Sequence, residues 1–91
     1  MPLFTLICTD KPDHEDLRKA NRTAHLAYLE ETGAVVHAGP FLNPQGGMTG
    51  SLVVLDLPNR AIAEAWAAND PYARAGLFAE VRIEEWKKVI G

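Results

Sequence analysis

Residues 34–57 read AVVHAGPFL, NPQGG, MTGSLVVLDL. Two runs rich in β-branched and apolar residues flank a loop of turn formers, so Ala34–Leu42 and Met48–Leu57 are expected to pair as an antiparallel hairpin around Asn43–Gly47. Gly39-Pro40 interrupts the first run, which implies a bulge, a strand end or a sheet edge. Gly46-Gly47 invites comparison with a phosphate cradle, but no Gly-Lys-Ser/Thr step follows it, and a tight turn is the better reading.

On the amino-terminal side, Leu3–Thr9 has strand character and closes in the turn Asp10-Lys11-Pro12-Asp13. The stretch DHEDLRKANRTAHLAYLEE, Asp13 to Glu31, reads as a helix. Asp13 is the expected cap, Glu15 and Asp16 suit the positive end of the helix dipole, and Gly33 stops the helix. Leu17, Asn21, Ala24 and Tyr28 form the expected inward stripe, with His25 at its edge. On the carboxyl-terminal side, Pro58-Asn59 opens a second helix, with Asn59 as cap and Ile62, Ala65, Trp66 and Asn69 inward. It breaks at Asp70-Pro71, because a residue before proline avoids helical angles. A turn from Tyr72 to Gly76 leads into a last strand from about Leu77 to Val89.

Strand, helix, strand, strand, helix, strand is the split βαββαβ pattern of the ferredoxin-like fold. This is an α+β arrangement, a four-stranded antiparallel sheet with both helices on one face. The 91 residues form a single domain. In the first and third strands both alternate residue sets are largely apolar, so the uncovered sheet face would be a large apolar patch. A homodimer closing sheet to sheet is therefore expected.

The composition, 47% hydrophobic and 23% charged, is that of a globular chain. A net charge of −3 provides no basic footprint for nucleic acid. An RNA-binding sheet of the same strand order also lacks its aromatic, basic strand here. The amino end has too short an apolar run and no basic start for a signal peptide or membrane span, so a cytoplasmic protein with no membrane partner is expected. Cys8 is alone and best read as a small packed hydrophobe, with a reactive thiol as the minority alternative.

His25 is the candidate for chemistry, although taken alone a single histidine on a helix edge is more often a satisfied, half-buried ring. Arg22 neighbours it on one helix face, close enough to attract an anionic substrate toward a base. Asp70, at the broken end of the second helix, can fix the imidazole's tautomer and make an acid/base pair near neutral pH. Its bland alternative is a turn-forming Asp-Pro. Ser51 can present a hydroxyl to a cleft, and Tyr72 can line the same pocket as Asp70. Trp66 and Trp86 read as core or interface. His14 lies about 16 Å along the helix axis from His25, and His37 has no acidic or cysteine companion, so no metal site is expected.

Taken in order, several short motifs make the chain recognisable. They are Asp10-Lys11-Pro12, Arg22 with His25-Leu26, Ala38-Gly39-Pro40, and Gly46-Gly47-Met48 with Gly50-Ser51. Asp70-Pro71-Tyr72 with Ala75-Gly76-Leu77-Phe78, and finally Trp86-Lys87, complete the series. Together they resemble the YciI-like family of small dimeric α+β barrel proteins over nearly the full chain. The resemblance implies a ferredoxin-like subunit, a dimer packed through the sheets, and a site holding a His and an Asp that match His25 and Asp70. Arg22, Gly39, Pro40, Ser51 and Tyr72 are then candidate pocket residues. The family is similar to muconolactone isomerases in architecture, and one relative is a cofactor-free dehydrochlorinase acting on a chlorinated hydroxyquinol. The expectation is an enzyme of lyase or isomerase type, needing no cofactor and acting on a small anionic or phenolic cyclic metabolite. The alternative is a non-catalytic dimeric module that binds a small ligand or serves another enzyme.

Overall fold

A computed structural model describes residues 2–91. The elements are β1 (Leu3–Asp10), α1 (Glu15–Thr32), β2 (Val35–Leu42), β3 (Met48–Asp56), α2 (Arg60–Asn69), α3 (Pro71–Arg74) and β4 (Phe78–Trp86). The strands form one antiparallel sheet in the order β2-β3-β1-β4, so β1 and β3 occupy the centre and β2 and β4 the edges. This is the ferredoxin-like arrangement. No described helix is long and apolar enough to cross a membrane.

Phe4, Leu6 and Cys8 on β1 alternate onto the helix-covered face and meet Leu55, Val53 and Ser51 of β3 in register. With Trp66, Ala63 and Ala67 of α2 and Ile83 of β4 they make the core. Fully burying a leucine such as Leu6, Leu55 or Leu77 contributes about 1.5–3 kcal/mol. Cys8 packs here as a small apolar group, and burial first, then the charges of Asp70 and Asp10, pushes its thiol up to about 12.

Several local expectations are corrected. Asp13 does not cap α1: it lies at φ 60°, His14 holds the cap position, and no side chain completes the cap. The inward face of α1 is centred on Arg18 and His25, whereas Ala24 is exposed. On α2 the buried residues are Ala63, Trp66 and Ala67. Ile62, Ala65 and Asn69 face out, because the helix rolls to lay Trp66 over the sheet. Tyr72–Gly76 begins with a helical turn, α3, and β4 ends at Trp86. Gly33 does end α1 in the left-handed conformation, at φ 63°, and Asn59 caps α2 through the Ile62 N–H at 2.9 Å. Pro40 sits within β2, the edge strand, opposite Ser51, and the register shifts fall on either side of it rather than at Gly39-Pro40.

The other sheet face is uncovered. Leu3, Thr5 and Ile7 of β1, with Leu52 and Val54 of β3, form its middle, flanked by Phe41 of β2 and Trp86 of β4. The two aromatic side chains remain 41% and 43% exposed. Thr5 Oγ1 is buried on this face without a hydrogen-bond partner.

Candidate active site

Two contacts pin α2 onto α1 and thereby set the position of the α2–α3 break. The Tyr28 hydroxyl donates to the Trp66 carbonyl at 2.7 Å, and Trp66 Nε1 donates to Thr32 Oγ1 at 3.0 Å. At the break, Pro71 forces Asp70 into extended geometry, φ −60° and ψ 129°. Its carboxylate then caps α3, accepting the Tyr72 N–H at 3.0 Å. The same oxygen, Oδ1, lies 2.7 Å from His25 Nδ1. Both side chains are buried.

The bond fixes the histidine's tautomer. A carboxylate oxygen that already accepts an amide proton is an acceptor, so Nδ1 carries a proton and Nε2 of the neutral ring keeps its lone pair. Tyr72 stacks flat on the imidazole, with centroids 3.8 Å apart and planes 12° from parallel, and Phe78 meets Tyr72 edge-on at 6.1 Å. The ring therefore has little freedom to turn.

His25 opens onto a cavity of about 210 Å³, of a size to take one substituted ring. Arg18, Arg22, Ser51 and Tyr72 supply the rest of its polar wall. Leu26, Leu29, Ala38, Gly39, Pro40, Met48 and Val53 supply the apolar part. Of the residues singled out from sequence, His25, Arg22, Gly39, Pro40, Ser51 and Tyr72 thus line one cavity. Asp70 does not; it stands behind His25. His14 is elsewhere, with Nδ1 2.6 Å from the Pro12 carbonyl, and His37 is on β2 facing the open side with Val54.

Sequence reading passes over Arg18 and Asp10, which prove to be a second buried pair. Arg18 Nε and Nη2 donate to the two carboxylate oxygens of Asp10 at 2.7 and 2.9 Å, and Nη2 also donates to Ser51 Oγ at 2.9 Å. Burial opposes the guanidinium's charge, but the bond to Asp10 and its negative charge outweigh that, so its pKa lies above the usual arginine value. Arg18 also sits 4.7 Å from the Tyr72 ring centre. Burial raises the Tyr72 phenol against the opposing pull of Arg18 and Arg22. The signal available in the sequence is the spacing i, i+4, i+7 of Arg18, Arg22 and His25, which puts all three on one helix face.

Known proteins share this arrangement of elements. The chain is 36% identical over 96 residues to Protein YciI of Escherichia coli O6:H1, covering 96% of this chain and 98% of the relative. It is similar in structure to the 5-chloro-2-hydroxyhydroquinone dehydrochlorinase TftG of Burkholderia phenoliruptrix AC1100, solved with 2,5-dihydroxybenzoquinone. The TM-score is 0.85 at 34% identity, over 93% of each chain. A crystal structure of an antibiotic biosynthesis monooxygenase matches at TM-score 0.62 and 11% identity over 99% of this chain and all of that one, a likeness of fold alone. The YCII-related domain model matches residues 2–87, and with that span added to the relatives' identity the chain belongs to the YCII-related family.

Proposed function

We propose that this protein is an enzyme of lyase or isomerase type, of the dehydrochlorinase kind, acting on a small anionic or phenolic ring in the cavity beneath α1. The observation that carries the reading is the 2.7 Å bond from buried Asp70 to His25 Nδ1, which leaves Nε2 as the basic nitrogen of a ring lining the cavity. His25 Nε2 takes a proton from a substrate hydroxyl or from a carbon beside an oxygen. The electron pair left behind shifts into the ring. In an isomerisation the proton returns from Nε2 at a different carbon. In an elimination from a chlorinated hydroxyquinol it returns at the chlorine-bearing carbon to give the keto tautomer, and loss of a second hydroxyl proton then expels chloride and leaves a quinone. Asp70 holds the imidazole's orientation and stabilises the imidazolium that forms between the two proton transfers. Arg22, exposed at the cavity and free of a carboxylate partner among the described residues, attracts the anion. Gly39 and Pro40 of the edge strand give it a flat wall.

Support from relatives is of the same kind. TftG, at 34% identity, is a dehydrochlorinase and was solved with a hydroxylated quinone. The test is chloride release from 5-chloro-2-hydroxyhydroquinone, compared with a panel of hydroxylated and carboxylated rings. General acid/base catalysis contributes on the order of 10² to 10⁴-fold, so His25→Ala is expected to lower turnover by about that factor with the fold intact by circular dichroism. A His25→Ala variant with full turnover overturns the assignment. A wild type that binds such rings without converting any, and whose affinity survives His25→Gln, is a binding module instead.

The functional unit in this reading is a homodimer. The uncovered sheet face carries Phe41 and Trp86 around an apolar middle, and a second copy packed face to face removes that patch from water. Sedimentation at micromolar concentration is expected to give twice the 10.0 kDa chain mass.

A further inference from the structure

Ser51 is 4% exposed, stands opposite Cys8 and Pro40 in the sheet, and lines the cavity. Its Oγ accepts from Arg18 Nη2 at 2.9 Å. A guanidinium has five donors and no acceptor, so the serine's own proton plays no part in that bond. Among the described residues no protein group accepts it. Arg18 is not free to turn and accommodate a different hydroxyl orientation, because Asp10 grips it by both carboxylate oxygens. That two-point fork is both directional and strong. The pair is also close to neutral as a unit, so Arg18 presents little net charge to a ligand while still fixing the hydroxyl. Asp10 itself does not line this cavity; it borders a separate depression between the β1–α1 turn and the hairpin tip.

We infer that Asp10 and Arg18 are positioning residues that hold Ser51 with its oxygen turned to the arginine and its proton turned into the cavity, as a donor for an ionised substrate oxygen. The inference rests on the reading of this cavity as the site of a hydroxylated ring, and it assigns the polarity of the wall. Ser51 donates, His25 Nε2 accepts, and a ring that binds must offer an anionic oxygen to the first and a removable proton to the second. A hydroxyl that already accepts from a cation is a better donor than a free one, so ionised oxygens gain more from it than neutral ones.

The experiment is a double-mutant cycle on dissociation constants measured by calorimetry at pH 7. It uses 2,5-dihydroxybenzoquinone, which is ionised, and 2,5-dimethoxybenzoquinone, the same ring without ionisable oxygens. Ser51→Ala is expected to weaken the dihydroxy ring on the order of tenfold or more and the dimethoxy ring by about threefold at most, following the stronger hydrogen bonds of charged partners. In an Asp10→Asn background the Ser51→Ala loss for the dihydroxy ring is expected to shrink to about threefold or less, because nothing then fixes the hydroxyl. Contacts that act as a unit fail to add in this way. Should Asp10→Asn not fold, Asp10→Asn with Arg18→Met removes both charges and serves as the background. Equal losses on both rings, or a Ser51→Ala loss that is the same in both backgrounds, overturns the inference while leaving the His25 reading intact. A wild type that binds neither ring overturns the reading of the cavity, and the inference falls with it.

Discussion

Helix α1 carries two basic side chains seven residues apart on one face, Arg18 and His25, and each is met by a carboxylate from elsewhere in the fold. Asp10 comes from the end of β1 and Asp70 from the break between α2 and α3. The two contacts have the same length, 2.7 Å, and all four side chains are buried. They differ in what the base can do. A guanidinium keeps its proton at any physiological pH and spreads its donors over three oxygens, so the Asp10 pair is a fixed piece of electrostatics. An imidazole held at one nitrogen keeps the other free, so the Asp70 pair has a nitrogen that can take and return a proton. One helix thus meets a buried carboxylate twice, and in the proposed function the first pair sets a direction and the second provides a labile proton.

Breaking the first pair is expected to have the larger effect on stability. Asp10→Ala leaves Arg18 buried and unpaired, a change that costs about 3–5 kcal/mol, read as a lowered midpoint in urea. Asp70→Ala leaves the ring N–H and the Tyr72 amide without an acceptor, which costs about 1–3 kcal/mol. The ¹⁵N shifts of His25 should then lose the signature of a protonated Nδ1. A reversed order, with Asp70→Ala the more damaging to stability, would mean that the fold depends less on the arginine pair than on the histidine pair.

Between these two pairs lies Cys8, cross-strand from Ser51, whose thiol is raised by burial first and then by Asp70 and Asp10. A folded-state value of about 12 against an ordinary 9.0 means the fold favours the neutral thiol. That stabilisation is complete below pH 9 and is lost as pH climbs through 12, at up to about 1.4 kcal/mol per pH unit. Cys8→Ala is expected to flatten the decline in unfolding free energy over that range. The raised Tyr72 and Tyr28 phenols leave a residual slope above pH 10.

The fold was legible because its signals are local. Turn formers at 43–47, Asp-Pro at 70–71 and the glycine at 33 mark the hairpin loop, the end of α2 and the end of α1, and the order of strands and helices names the ferredoxin-like sheet. The site was legible in part. His25 stood out because Arg22 lies beside it on one helix face, and Asp70 because it falls at the broken end of the second helix. That they touch depends on the Tyr28–Trp66 and Trp66–Thr32 contacts, which no spacing rule reports. Arg18 escaped because a charged residue in the second turn of a polar helix reads as a solvated face. Its burial exists only because Asp10, eight residues earlier, ends a strand directly beneath it. The inward stripe of α2 was read one position off because Trp66 alone sets the roll of a helix otherwise rich in alanine.

The smallest expected effect on stability separates the third basic residue of that helix face from the other two. Arg22 lies four residues after Arg18 and three before His25, is exposed, and among the described residues no carboxylate pairs with it. Nothing in the fold depends on its charge, so Arg22→Gln should change the unfolding free energy by no more than about 0.5 kcal/mol. Its charge is available to a ligand instead, in a solvent-facing position where such attraction is worth about 0.2–1 kcal/mol, a loss of up to about fivefold in affinity for 2,5-dihydroxybenzoquinone. Exposure also makes the effect sensitive to ions: the Debye length falls from about 10 Å at 0.1 M salt to about 3 Å at 1 M. The difference between wild type and Arg22→Gln should therefore fade as salt is raised, whereas the Ser51→Ala loss, made at a buried hydroxyl, should persist. An Arg22→Gln loss that salt does not diminish would place the guanidinium in direct, dehydrated contact with the ring, and Arg22 would then rank with Ser51 as a residue that reads the substrate's oxygen.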